Sequence, residues 1–293
     1  MLHLRLLFAC LLITSFGLAS PHFASPIVSA QEKTSPNSAA KDGAEKGKPI
    51  AEGARIVSVQ RIWDAAHHNA FTDLIRFQDQ WYCVFREGSG HVSPDGALRV
   101  IRSNDGKTWT SAALIASDVA DLRDAKITLT PDQRLMLSGA GAMHDTSDYK
   151  HQSMSWFSDD GDNWSGAYMV GEHDNWLWRV TWHDGQAYGV GYQTHNSPDR
   201  LTKLFRSPDG KKFEVIVERF FDRGYPNETS IVFTADKTCY CLLRRDAESK
   251  TGQLGTSQPP YTKWSWLDLG VQIGGPQMIQ LPDGRFVAAV RLV

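Results

Sequence analysis

Carboxylates, arginines, histidines and tryptophans gather at five points of the chain, each just before an apolar run. The five stretches are His67-His68-Asn69-Ala70-Phe71-Thr72-Asp73, Asp121-Leu122-Arg123-Asp124, Asp174-Asn175-Trp176-Leu177-Trp178-Arg179, Tyr225-Pro226-Asn227-Glu228 and Gly274-Gly275-Pro276-Gln277. Arg86-Glu87 and Arg244-Arg245-Asp246 end apolar runs and can project to the same place. These residue types suit a sugar. Aromatic rings stack on ring faces, arginines hold carboxylates bidentately, and a carboxyl pair does acid–base work on a glycosidic bond. Asp124 and Glu228 are the expected carboxyl pair. Arg123, Arg179 and Arg244 are expected to orient the substrate. His68, Asp73, Arg86, His91, Trp178, Tyr225 and Arg245 are the expected contacts around them. Each has an ordinary structural role open to it. Asp124 and Arg123 can simply pair across blades, and Trp176 or Trp178 can belong to the core. His67 and His68 are adjacent on an extended segment and point opposite ways, so no metal is expected there. No cofactor is expected.

A repeat positions these stretches. Ser103-Asn104-Asp105-Gly106-Lys107-Thr108-Trp109 reads S-x-D-G-x-x-W. It returns from Ser158 to Trp164, and from Ser207 to Phe213 with Phe in place of Trp. The serines stand 55 and 49 residues apart, and an eroded copy runs from Ser257 to Trp264. Asp-Gly between apolar runs is a hairpin turn, in which Asp binds nearby backbone N–H groups and Gly supplies φ > 0. A period of about fifty is that of a four-stranded propeller blade. A second repeat runs in phase: an apolar strand, a polar turn with Asp, and another apolar strand. Its turn aspartates Asp79, Asp132, Asp184, Asp236 and Asp283 are spaced 53, 52, 52 and 47. No stretch carries a long helical period, so the class is all-β. Innermost strands line a propeller's axis, so the loops entering them meet at one mouth. Four blades are complete and a fifth has two strands when the pattern stops at Val293. The reading is of an incomplete ring, with about one and a half further blades to make six.

The totals agree. The 293 residues are 41% hydrophobic and 11% aromatic, with ten tryptophans, which allows a sizeable core. The net charge of −2 offers no electrostatic case for nucleic acid or an anionic membrane. Arg5, the apolar run Leu6–Leu18 and Val28-Ser29-Ala30 read as an export signal over residues 1–30, with cleavage after Ser20 as the alternative. The run is too short for a membrane span. Residues 31–54 read as a flexible linker, and 55–293 as the propeller. Location is therefore expected to be periplasmic or extracellular. Without the leader three cysteines remain. Cys239 and Cys241 lie i, i+2 on a strand and do not bond each other, so buried apolar roles are expected for all three.

The S-x-D-G-x-x-W turns resemble the Asp-boxes (BNR repeats) of the sialidase (neuraminidase) superfamily, and the resemblance covers about Arg55 to Val293. It implies a six-bladed β-propeller. It also implies a site with three arginines on a substrate carboxylate, an Asp acid/base and a Tyr nucleophile activated by a Glu. Glu228 followed by Arg244 is similar to the family's pair in the fourth blade, and Arg291 is a weaker match in the fifth. The first-blade Arg-Ile-Pro signature is absent, since Asn69-Ala70-Phe71-Thr72 stands there. Arg86 is the substitute implied, and His91 or Asp95 would have to act as the acid/base. Two functions follow as expectations. One is an exported glycoside hydrolase acting on a polar or acidic glycan. The other is a carbohydrate-binding or adhesion propeller without catalysis.

Overall fold

The computed structural model describes residues 57–292 together with the short strand Leu6–Cys10. Apart from that strand, the leader and linker read from the sequence lie outside the described residues. No described residue is helical. The first blade is β2 (His68–Phe77), β3 (Gln80–Gly88), β4 (Ala97–Ser103) and β5 (Thr110–Ile115); β1 is the strand Leu6–Cys10. The second is β6 (Ala120–Leu129), β7 (Leu135–Met143), β8 (His151–Ser158) and β9 (Tyr168–Val170). The third is β10 (Asn175–His183), β11 (Gln186–Gln193), β12 (Thr202–Ser207) and β13 (Glu214–Phe221). The fourth is β14 (Pro226–Phe233), β15 (Cys239–Arg245), β16 (Thr251–Ser257) and the first half of β17 (Ser265–Gln280). Each is an antiparallel meander, in a propeller-like arrangement of four blades.

The long strand β17 belongs to two sheets. Its first half pairs with β16, and Ile273–Gln280 pair with β18 (Phe286–Leu292). The far edge of β18 receives β1 in parallel register, Leu6 opposite Phe286. The leader was expected to be no part of the structure. An open strand edge presents unpaired N–H and C=O groups, and an uncharged apolar run is a ready partner for it.

The core lies between blades. Phe77, Tyr82 and Leu98 of the first blade bury against Leu122, Leu137 and Trp156 of the second. Met136 and Phe157 meet Leu177, Val180 and Phe205 of the third, and Tyr188 and Leu204 meet Ile231, Cys241 and Tyr261 of the fourth. Cys83, Cys239 and Cys241 are buried and unbonded, and burial pushes the Cys83 thiol up to about 12.

The S-x-D-G-x-x-W turns close by local hydrogen bonds. Ser103 Oγ accepts the Gly106 N–H at 2.9 Å, Asp105 Oδ1 accepts the Lys107 and Thr108 N–H groups at 2.8 Å, and Trp109 Nε1 donates to Gly106 O at 3.2 Å. The copies at Ser158 and Ser207 repeat the serine and aspartate bonds. In the eroded copy Tyr261 takes the glycine's place at φ +66, and Trp264 Nε1 donates to its carbonyl at 2.8 Å. The second and third turns lean on the preceding blade. Tyr82 Oη donates to Asp160 O at 3.0 Å, and Ser155 Oγ to Gly210 O at 2.8 Å. Gly161 has φ +80, and a Cβ there would stand 2.3 Å from the Tyr82 ring. Gly161→Ala is therefore expected to destabilise the fold by about 1–3 kcal/mol, read as a lower melting temperature.

Candidate functional site

All five inner strands break register at the same end. The breaks fall between Ala70 and Asp73, Arg123 and Lys126, Leu177 and Val180, Pro226 and Thr229, and Gly274 and Gln277. Phe71, Asp124 and Gly275 sit in these bulges with φ of 63°, 57° and 58°. A bulge bends the strand and re-aims its side chains, here at the mouth of the axis. A positive φ is uncommon for a residue with a side chain, and Asp is among those that tolerate it.

Asp124 is 6% exposed and makes no side-chain hydrogen bond in the bonded geometry; its Oδ1 has no partner among the described residues. Burial lifts its carboxyl from 3.8 to about 6, against the pull of Lys126 and with a push from Glu228. The Trp176 indole lies close enough to lower it a little, yet Trp176 Nε1 reaches no hydrogen-bond geometry with any group. Glu228 is held from two sides. Its Oε1 meets Arg244 Nη1 at 2.8 Å, and its Oε2 accepts the Gly275 N–H at 2.7 Å. Asp246 takes the other side of Arg244 at Nε, 2.9 Å away. Phe71, Trp176, Trp178 and Tyr192 form an aromatic wall, with Trp176 and Tyr192 stacked at 6.4 Å. Lys126 is buried beside them, its Nζ 4.6 Å from the Trp178 ring centroid. Burial pushes its ammonium down to about 8, against the pull of Asp124.

Several residues expected to touch a substrate are committed elsewhere. Asp73 Oδ2 accepts from Arg179 Nη1 at 2.7 Å and from the Ile127 N–H at 3.0 Å, which ties three blades together. Arg86 is 0% exposed; it donates to both Asp121 Oδ1 and the loop atoms Gly90 O and Ser93 Oγ. It anchors the loop that follows β3 and cannot reach a substrate. Arg123 pairs with Asp121 at 2.6 Å and not with Asp124, because the bulge turns Asp124 away. Arg245 points to the other face of β15, where it binds Asp268 at 2.9 Å and Thr251. Asp95 caps the loop, accepting from the Ser89 N–H and Oγ. Bonds from Ser93 and Ser89 hold its carboxyl down at about 2, which unsuits it for proton donation. Trp178 is buried under Lys126, so it is wall and not an open stacking platform.

The rim carries the remaining candidates. His68 Nε2 and His91 Nδ1 stand 3.2 Å apart beside Phe71, and burial lowers the His68 pKa. Tyr225 donates to Asn196 Oδ1 at 3.0 Å, and Arg200 lies 3.9 Å over its ring. Among the described residues no group of three His, Cys, Asp or Glu side chains is arranged to hold a metal. Below the mouth, a channel of about 470 Å³ runs between the inner strands, with Asp73 and Arg179 at its upper end.

Lys126, Trp176 and Tyr192 were not among the expected site residues. Lys126 had a signal, as the one charge inside the apolar run Ala125 to Leu129. Tyr192 faces Trp176 in its hairpin as Arg86 faces Ala70, so its position was marked although its uncharged side chain was not.

No family profile and no curated protein matches the sequence. Solved structures do match in shape. A Dyadobacter fermentans protein of unknown function gives a TM-score of 0.66 at 18% identity, over 75% of this chain and 74% of that one. An α-L-arabinanase of Penicillium chrysogenum, solved with arabinobiose, gives 0.57 at 12% identity, over 76% and 82%. A xylan β-1,4-xylosidase of Bacillus halodurans gives 0.52 at 13% identity, over 74% and 48%. At these identities the likeness is one of fold, and the fold shared is that of propeller glycoside hydrolases.

Proposed function

We propose that the protein is an exported glycoside hydrolase working at the axial mouth, with Asp124 as general acid and Glu228 as the opposing carboxylate. One observation carries the reading. Asp124 Oδ1, Trp176 Nε1 and Trp178 Nε1 are buried and unpartnered at the mouth, three of nine such side-chain atoms among the described residues. Buried polar atoms are nearly always hydrogen-bonded in folded proteins, so a cluster of exceptions is what a bound ligand would satisfy. Burial keeps Asp124 protonated in mildly acidic solution, ready to protonate a leaving oxygen. Glu228, fixed by Arg244 and Gly275, supplies negative charge opposite the oxocarbenium-like transition state. The aromatic wall bounds the sugar. The S-x-D-G-x-x-W turns and the Glu228–Arg244 pair support a sialidase-type, six-bladed ring, and the apolar leader supports export. The three-arginine clamp of that family is not part of the proposal, because Arg86 is buried against Asp121.

The acid form of Asp124 is the competent one, so kcat is expected to hold below about 6 and to fall as pH rises through about 6. A pH profile of initial rates checks the sign. The reading itself is tested by offering aryl glycosides and plant and bacterial polysaccharides, and measuring released reducing ends. Saturable glycan binding with no product from any substrate would replace hydrolysis with a binding propeller.

A further inference from the structure

We propose that His151 is a further specificity-determining residue of the mouth, a neutral imidazole whose Nε2 accepts a hydrogen bond from a sugar hydroxyl. This rests on the reading of the mouth as a glycan site. His151 opens β8, and its ring lies 5.4 Å from the ring of Trp176 in the aromatic wall. Its side chain is 25% exposed, so a ligand can reach it. Among the described residues the ring makes its hydrogen bond at Nδ1 and none at Nε2.

Two acceptors on the third blade face Nδ1. Thr194 Oγ1 lies 2.9 Å away, and Asp174 Oδ1 lies 3.6 Å away. The Thr194 hydroxyl has one proton and gives it to Asp174 O at 3.2 Å, so towards the ring its oxygen accepts. Asp174 is itself fixed, because its Oδ1 takes the N–H groups of Lys150 and His151, each at 3.0 Å. Both neighbours call for a proton on Nδ1. In a neutral imidazole that leaves Nε2 as a bare acceptor. The ring is kept neutral chiefly by burial, which lowers its pKa; Asp174 pulls the other way, and Arg123 and Lys150 add to the lowering. An imidazolium would carry N–H on both nitrogens and accept nothing.

The groups around the ring leave it this task. Trp176 Nε1 is a buried N–H without a partner. Asp121 on the same blade is taken up by Arg86 and Arg123, and Glu228 on the fourth blade by Arg244 and the Gly275 N–H. A sugar hydroxyl both accepts and donates. It can take the Trp176 proton and give its own to His151 Nε2. A polar atom fixed from behind by Thr194 and Asp174 cannot turn away when that hydroxyl is missing. An analogue lacking it therefore leaves the acceptor unpaired, which is how such sites discriminate.

Nitrogen-15 NMR of the wild-type protein at pH 7 tests the tautomer first. Nδ1 of His151 is expected to carry the proton and Nε2 to resonate as a bare nitrogen. Titration with arabinobiose, xylobiose and lactose follows. With one of these probes the Nε2 signal should move towards the hydrogen-bonded range while Nδ1 stays protonated. Both readings are made on the wild type and need no variant to fold. Isothermal titration of that probe should then show His151→Phe, which keeps a ring and loses the acceptor, binding roughly tenfold weaker, the scale of one hydrogen bond. His151→Gln, whose amide oxygen can accept, should recover part of it. A ring protonated at Nε2 overturns the proposal, as does unchanged affinity in a folded His151→Phe, even if glycosides are hydrolysed and the hydrolase reading stands. Loss in His151→Phe and recovery in His151→Gln, with no glycoside turned over by the wild type, supports His151 and removes the hydrolase. Binding of no probe overturns the assignment to His151.

Discussion

Asp124→Asn is expected to lower the turnover of a cleavable glycoside by roughly 10²–10⁴-fold, the usual contribution of a general acid. The amide keeps the shape of the side chain and the bulge that presents it. It removes the proton that burial retains near neutrality. The loss should be largest for poor leaving groups and shrink for activated aryl glycosides, which need less protonation. Stability should move the other way. A folded-state carboxyl raised to about 6 from 3.8 binds its proton more tightly than in the unfolded chain. Its contribution to stability therefore falls as pH rises from about 4 to about 6 and stays lost above that. At pH 7 the Asn variant should melt at the same temperature as wild type or higher, so lost activity would not reflect unfolding. Unchanged turnover of the best natural substrate would remove Asp124 from the mechanism.

The largest effect on stability is expected at Asp121. It lies between two arginines, bonded to Arg86 at 2.8 Å and to Arg123 at 2.6 Å. Asp121→Ala leaves the Arg86 guanidinium buried with no carboxylate beside it. Breaking a buried pair from one side costs about 3–5 kcal/mol, because the surviving charge is uncompensated. For a domain of this size that is a fall of roughly 6–20 °C in melting temperature. Asp121→Leu combined with Arg86→Met should recover much of it, since a charge pair replaced by apolar groups of similar volume is often neutral. A thermal melt of the single and double variants checks this. Gly96 shows how tightly the site is built, since a Cβ there would stand 1.8 Å from Asp121 Oδ1.

The sequence by itself determined the blades. Period-two apolar strands, aspartate turns and the S-x-D-G-x-x-W hairpins are local, and their bonds join residues two or three apart. Fifty-residue repetition of such units leaves little choice but blades about an axis. It was therefore legible that the loops from Asp121 to Asp124 and from Tyr225 to Glu228 face one mouth. Which side chains stay free there was decided by the tertiary structure. Arg123 and Asp124 are neighbours in sequence, but a bulge registered against β7 separates them and leaves Arg123 to Asp121. Arg86 and Arg245 both end second strands; one is buried under a loop and the other turned to the outer face. The reason is physical. Turn chemistry is written in adjacent residues, whereas the partner of a buried charge is whatever the neighbouring blade brings within about 4 Å.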